Sequence, residues 1–449
     1  MGAITVLGLY KQFHDKWFLE EAWEPLLKWN RWWAEHRDMD GFIVLGSDAE
    51  NQPVNRDDGS VGTWQGAVFE SGLDNSPMYD GTTYNPKTHL LEYADVGMTS
   101  LYIADCDALA EIANALEILR EETPQGFVPN YARAGGWKSE DRSEPPVGAI
   151  TVLGLYRQFQ DRWFLEDAYE PLMKWNRWWA AHRDIQGYLA WGSDGGNEPQ
   201  NLDDGSRGTH QGAEFESGLD NSPMYDGTYY NPDSHLIEYA DVGLMSMYVA
   251  DCDALAEIAD TLGKTEDAKE LRGREDKYRA KLATMWDERA GMFLNKDLHT
   301  GESSRRLSPT NFYPMLAHAA TAEQAKTMLE KHLLNPEEFW GEWVIPSIAR
   351  NDPAFKEQEY WRGRIWGPMN YLVYLGLENY DAAKARDEFA EKSYALFLKE
   401  WREKGHVHEN YNAVLGTGDD VTSSDRFYHW GALLGYIESL QQGEAKLVK

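Results

Sequence analysis

The chain has 449 residues, 42% hydrophobic and 26% charged, a globular composition with enough length for a large core. Its 43 basic and 75 acidic residues leave a formal charge of −32, a field that repels nucleic acid and anionic membrane surfaces. Two cysteines exclude a disulfide framework, no apolar run reaches the roughly 18–20 residues of a bilayer span, and Met1-Gly2-Ala3-Ile4 opens no signal peptide, so a cytoplasmic protein is expected.

From the N-terminus, helices are predicted over 2–13, 16–36 and 89–118. This opening stretch then returns. Residues 2–113 align without a gap with 148–259, and 83 of the 112 paired positions are identical. ESGLDNSPMYDG at Glu70 recurs at Glu216, and DCDALAEIA at Asp105 recurs at Asp251. The period exceeds that of solenoid arrays and reads as duplication of part of a domain. In the second copy, apolar residues at mixed three and four spacing predict helices over 148–159 and 162–182 (Leu153, Leu155, Phe159; Phe164, Leu165, Tyr169, Leu172, Trp175, Trp178). The segment 184–234, rich in Gly, Asn, Asp and Pro, reads as loop with a short hairpin, and helix resumes over 235–261. Further helices are expected near 264–285, 309–319, 321–332, 364–376, 379–401 and 425–441. Cys106 and Cys252 sit among Ala, Leu and Ile at helical spacing, as small core residues do. Twelve helices in successive hairpins, with strand patterns nearly absent, favour an all-α toroid of helix pairs over a doubly wound sheet.

The loops mix aromatics with carboxylates. There are 19 Trp, and many fall outside the periodic segments, a combination suited to stacking on sugar faces while acids bind hydroxyls. Four clusters stand out: Phe215-Glu216-Ser217-Gly218-Leu219-Asp220-Asn221-Ser222-Pro223; His406-Val407-His408-Glu409-Asn410-Tyr411-Asn412; Tyr360-Trp361-Arg362-Gly363-Arg364-Ile365-Trp366-Gly367-Pro368; and Asp141-Arg142-Ser143-Glu144-Pro145-Pro146. Two loop carboxylates far apart in sequence suggest glycoside hydrolysis, one protonating the leaving oxygen and the other activating water or attacking carbon. His406-x-His408-Glu409 offers metal-binding side chains, but no further His or Cys lies at ligand spacing and HExxH is absent, so neither metal nor cofactor is expected. GxxxxGK[ST], a strand-borne GxGxxG and a GxSxG elbow are also missing, which removes the main support for nucleotide, dinucleotide and serine-hydrolase readings.

From about Gly126 to Ile437 the chain resembles glycoside hydrolase family 63, within it the bacterial glucosylglycerate and mannosylglycerate hydrolases. DRSEPPV, ESGLDNSP, YWRGRIWGPMN and HENYNA appear in the family's order. The resemblance implies an (α/α)6 barrel and hydrolysis with inversion, with Asp220 as general acid and Glu409 as general base. It implies Trp361 and Trp366 as walls of the sugar site and Tyr360 and Tyr229 as aglycone contacts. Arg142 or Arg362 would neutralise a glycerate carboxylate, and Glu144, Gly218, His408 and Trp430 complete the expected substrate-binding set. Glucosylglycerate is expected ahead of mannosylglycerate, with a trehalase or α-glucosidase activity, or a sugar-binding protein that has lost catalysis, as alternatives.

The chain also departs from the family's pattern. The family's opening segment with its Trp-Asp-Ser motif is replaced by the duplicate, Glu144 stands where Gln is expected, and Phe215 where Trp is expected. The expected division is therefore a duplicated helical segment, 1–122, standing in for the first barrel helices, and a catalytic portion, 123–449. In a barrel of alternating inner and outer helices, the two copies would carry opposite parity. The first copy then either packs irregularly or closes a barrel with another chain, as a domain-swapped homo-oligomer.

Overall fold

The computed structural model describes residues 2–13, 16–48, 59–120, 122–133, 137–195 and 205–443. The chain divides into two compact units, Met1–Ile118 and Leu119–Lys449. The predicted loop 184–234 lies in the second unit, and its residues 196–204 fall outside the described residues.

The first unit holds helices α1 (Gly2–Phe13), α2 (Lys16–His36), α3 (Trp64–Phe69) and α4 (Val96–Arg120), the last running two residues past the unit's boundary. Leu45, Ala67, Val68, Tyr79 and Leu91 form its core, with Trp64, Tyr84, Tyr93 and Met98 packed around them. Asp105 on α4 accepts the Ala3 backbone N–H at 3.0 Å, which ties the start of α1 to α4. Arg37, just past α2, bonds Glu70 at 2.8 Å and Asp48 at 3.2 Å.

The second unit repeats this local design and then extends it. Its helices are α5 (Gly148–Phe159), α6 (Arg162–His182), α7 (His210–Glu216), α8 (Val242–Thr261), α9 (Thr265–Ala283), α10 (Ala322–Met328), α11 (Gly367–Glu378), α12 (Ala383–Lys404) and α13 (Leu433–Gln441). Asp251 on α8 accepts the Ala149 N–H at 2.8 Å, as Asp105 does for Ala3 in the first copy. α8 packs on α5 and on a 3-10 helix at Pro309–Met315, which packs on α11, which packs on α13. Alternate elements thus touch one another in series, and α6, α9, α10 and α12 fall between them in the chain. α8 is buried on all sides over residues 242–249, and only Asp253, Glu257 and Asp260 near its end are exposed, as suits an inner helix. α9 buries only Ala268, Leu271, Tyr278 and Leu282 and turns its charges to water. This is the inner and outer alternation of a helical toroid, and the predicted all-α class holds. No described helix is long and apolar enough to cross a membrane.

Several element boundaries differ from the periodic reading. The predicted helix 235–261 begins only at Val242, because Tyr230–Asn231 pairs with Leu236–Ile237 and Tyr239–Ala240 pairs with Lys296–Asp297. The Asn231 side chain accepts the Asp233 N–H at 2.9 Å and turns this hairpin, and Asp241 then caps α8 by accepting the Leu244 N–H at 2.8 Å. The same hairpin, Tyr84–Asn85 with Leu90–Leu91, delays α4 to Val96. Residues 309–319 form a 3-10 helix over Pro309–Met315, where prolines at 309 and 314 remove two backbone donors. Residues 321–332 begin as α10 and end in a π turn over Leu329–Leu333. The last helix starts at Leu433 rather than 425, because residues 426 and 427 pair back onto residues 407 and 408.

Candidate active site

The acidic loop is built from buried anchors. Glu216, the last residue of α7, is fully buried and accepts hydrogen bonds from Arg183 Nε at 2.7 Å and Nη2 at 2.8 Å. It also accepts the Gly192 N–H at 2.6 Å and the Ser143 N–H at 2.9 Å, so one carboxylate joins α6, α7 and the Asp141–Glu144 segment. Gly218 follows with φ +69°, a left-handed conformation that suits glycine and turns the chain toward Asp220. The Gln211 amide donates to the Asp220 carbonyl at 3.0 Å, and Ser222 caps the 3-10 turn at Pro223–Tyr225.

Across the cleft, Ile365–Trp366 pairs with Asn410–Tyr411, which brings the YWRG and HENYN segments side by side. Buried Arg364 fastens this pair from behind, bonding Asp420 at 2.9 and 3.0 Å and the Asn410 side chain. Tyr360 lies in the left-handed region at φ +48°, a costly backbone state for a bulky residue and one found at functional loops. Its neighbour Trp361 donates its backbone N–H to Asn221 Oδ1 at 2.9 Å, which ties this loop directly to the Asp220 loop.

Phe215, Asp220, Asn221, Glu359 and Tyr360 line one open cavity of about 450 Å³. The Tyr360 hydroxyl donates to Glu409 Oε1 at 3.4 Å, so the cavity wall reaches Glu409, which is 7% exposed. Burial raises the Glu409 carboxyl above its ordinary value, and the charges of Asp425 and Asp220 add to this. Desolvation and the neighbouring Asp220 carboxylate push Glu144 up to about 8, so it is a neutral acid at pH 7. Burial first, then the Glu409 and Asp220 charges, raises the Tyr360 phenol, which remains a hydrogen-bond donor. Tyr428 is raised by burial and then by Glu409, Asp425, Glu144 and Asp220, four carboxyl groups that surround it. Glu214, on the same helix as Glu216, is pushed up to about 8 by burial and by Asp226 and Asp220.

Of the residues named from sequence, Asp220 and Tyr360 line this cavity, Glu409 bonds Tyr360, Glu144 feels the Asp220 charge, and Gly218 lies two residues before Asp220. Trp361 and Trp366 stack on each other at 3.6 Å and 8°, with Trp366 fully buried behind Tyr360 and Trp430 edge-on to it at 5.8 Å. Tyr229 is 42% exposed and lies against His299. His408 is fully buried between Glu400 and Asp419 rather than in the cleft. Both candidate cations are already paired. Arg142 is buried behind Phe215, with Nη1 on Ser206 Oγ at 2.6 Å and 3.5 Å from Asp141. Arg362 grips Asp226 at 3.0 and 3.1 Å and Glu357 at 2.6 Å. Residues overlooked in the sequence include Glu214, Asn221, Asp425 and Tyr428. Asn221 sits inside ESGLDNSP and Tyr428 two residues before Trp430, but only the fold brings them together.

The series of helical pairs in the second unit matches an (α/α)6 barrel fold. The solved family-63 mannosylglycerate hydrolase of Thermus thermophilus, in complex with Tris and D-glycerate, shares it with a TM-score of 0.58 at 19% identity, over 74% of this chain and 88% of that one. A model of the mannosylglycerate hydrolase MGH1-like glycoside hydrolase domain matches residues 2–118 and again 116–431, and the chain belongs to this family. It is 24% identical to mannosylglycerate hydrolase MGH1 of Selaginella moellendorffii over 63% of this chain and 65% of that protein, so it spans about two thirds of that relative's length. It is likewise 24% identical to glucosylglycerate hydrolase of Mycolicibacterium hassiacum, over 66% of this chain and 74% of that protein. The family read from the motifs is borne out, and the second match at 2–118 falls on the duplicated segment.

Proposed function

We propose that the chain is an inverting glycoside hydrolase that cleaves a small α-glycoside of glycerate, glucosylglycerate ahead of mannosylglycerate, into free sugar and glycerate. The observation that carries this reading is the Tyr360 hydroxyl bonded to Glu409 while the same residue shares a cavity wall with Asp220. Asp220 protonates the glycosidic oxygen as the bond to the anomeric carbon breaks. Glu409 takes a proton from a water that attacks that carbon from the opposite face, which requires about 6.5–9.5 Å between the two carboxyl groups. Neutral Glu144 donates a hydrogen bond to a sugar hydroxyl, as the expected Gln would. The names of the relatives support the glycerate aglycone. A neutral substrate such as trehalose is the second reading, favoured by Arg142 and Arg362 both being paired with carboxylates. A cytoplasmic setting is part of the proposal, supported by the two free cysteines, Cys106 and Cys252.

The test is release of free sugar from glucosylglycerate, mannosylglycerate and trehalose, with product anomers followed by NMR. Asp220→Asn and Glu409→Gln should each lower kcat/KM by about 100-fold or more, the scale of a lost acid or base. Asp74→Asn should leave it unchanged. Equal losses at Asp74 and Asp220 would overturn the assignment, and turnover of trehalose alone would favour the second reading.

A further inference from the structure

The loop that carries Glu409 holds a second cluster with a different chemistry. One ring nitrogen each from His406 and His408 and a carboxylate oxygen of Asp419 lie within 4.8 Å of one another. Sequence spacing hid this group because Asp419 follows 11 residues after His408. Gly418 permits the approach, since a Cβ there would collide with the His408 ring.

The two imidazoles are oriented as metal ligands are. His406 Nδ1 lies 3.0 Å from the Lys404 carbonyl, which makes Nδ1 the donor and leaves Nε2 as a lone pair. That Nε2 is buried without a hydrogen-bond partner, in a side chain belonging to a residue only 8% exposed. His408 Nδ1 lies 2.8 Å from Glu400 Oε2, a buried contact that sets the ring beside a carboxylate with Nε2 toward Asp419. His408 Nε2 sits 3.2 Å from Asp419 Oδ1, close to the roughly 3.3 Å separating neighbouring ligand atoms around a tetrahedral zinc with bonds of about 2.0–2.2 Å. Asp419 now pairs with Lys404 at 3.0 Å and Arg426 at 2.8 Å. Those two cations are 37% and 63% exposed and can turn into water, whereas both imidazoles are buried. The Asp419 side chain is 24% exposed, which supplies an entry path.

We infer that His406, His408 and Asp419 form a binding site for a zinc-class divalent cation, with solvent as the fourth ligand. Two imidazoles with one carboxylate select zinc, cobalt or nickel over magnesium and calcium. His406 closes on the ion by rotating its side chain while keeping its bond to the Lys404 carbonyl. The bound ion cross-links residues 406–408 to residue 419, across the segment whose backbone already joins Glu409 N–H to the Asp425 carbonyl at 2.8 Å. It therefore stiffens the loop that presents Glu409 and takes no part in bond cleavage.

The test uses the full chain after chelator treatment, titrated with zinc chloride by calorimetry, with cobalt absorption as a readout of tetrahedral coordination. One zinc per chain should bind at micromolar Kd or tighter and raise Tm. His406→Gln and Asp419→Asn should each weaken binding at least about tenfold, the effect of a lost ligand or its support, and reduce the Tm rise. Where His406→Gln fails to fold, Asp419→Asn carries the comparison. Absence of saturable binding, or a loss below tenfold in either folded variant, would overturn the site.

Discussion

Asp74 and Asp220 occupy the same position in two copies of one motif, and their surroundings separate them. Asp220 is half-buried, beside Glu214 and across from Tyr360, whereas Asp74 is exposed and Val68 stands where Glu214 would. The neutral acids around Asp220 also have a measurable consequence. Glu144 releases its proton near pH 8 in the folded protein, against an ordinary value of 4.5. Between those values the folded state holds more protons than the unfolded one, so this group's stability contribution is full below pH 4.5 and is lost as pH rises through 8. Glu144→Gln should therefore lose less Tm than the parent between pH 5 and pH 8. An equal loss in both proteins would show that Glu144 ionises normally.

At the scale of elements, the joint between α6 and α7 holds the acidic loop. The side chains of Arg183 and Glu216 are 1% and 0% exposed, with Asp194 completing the pairing of the guanidinium at 2.9 Å. Glu216→Gln leaves a buried guanidinium partly uncompensated. It should cost about 3 kcal/mol, the lower end for such a break because Asp194 remains. The equivalent Glu70 is 19% exposed beside Arg37, so Glu70→Gln should cost less. Urea unfolding of the two variants, read as changes in midpoint, makes the comparison. Helices long enough to show periodicity, such as α5 and α6, were legible in the sequence. α7 was not, because seven residues make barely two turns and show no period. The hairpins that shorten α4 and α8 were also hidden, since their strands are two residues long and owe their existence to Asn and His turn geometry.

For the whole molecule, a formal charge of −32 implies net self-repulsion in the folded state. Raising sodium chloride from about 0.1 to about 1 M shortens the screening length from about 10 to about 3 Å, so Tm should rise. A Tm that is flat or falls would mean that specific ion pairs outweigh the net field. The two copies also differ in what covers them. Val96, Ile103 and Trp29 are 80%, 56% and 44% exposed, while the equivalent Val242, Val249 and Trp175 are 0%, 0% and 5% exposed. The same helix faces are thus core in the second unit and surface in the first, although the residues are nearly unchanged.

The all-α class, the duplication, the family and the candidate acid and base were written in local patterns, because periodicity and short motifs survive in one dimension. Contacts between residues far apart in the chain decided the rest. Arg362 is claimed by Asp226, 136 residues away, Glu216 collects donors from three segments, and Asp419 joins two histidines around a glycine. Which partner a charged side chain finds depends on packing in three dimensions, and no spacing along the chain encodes it.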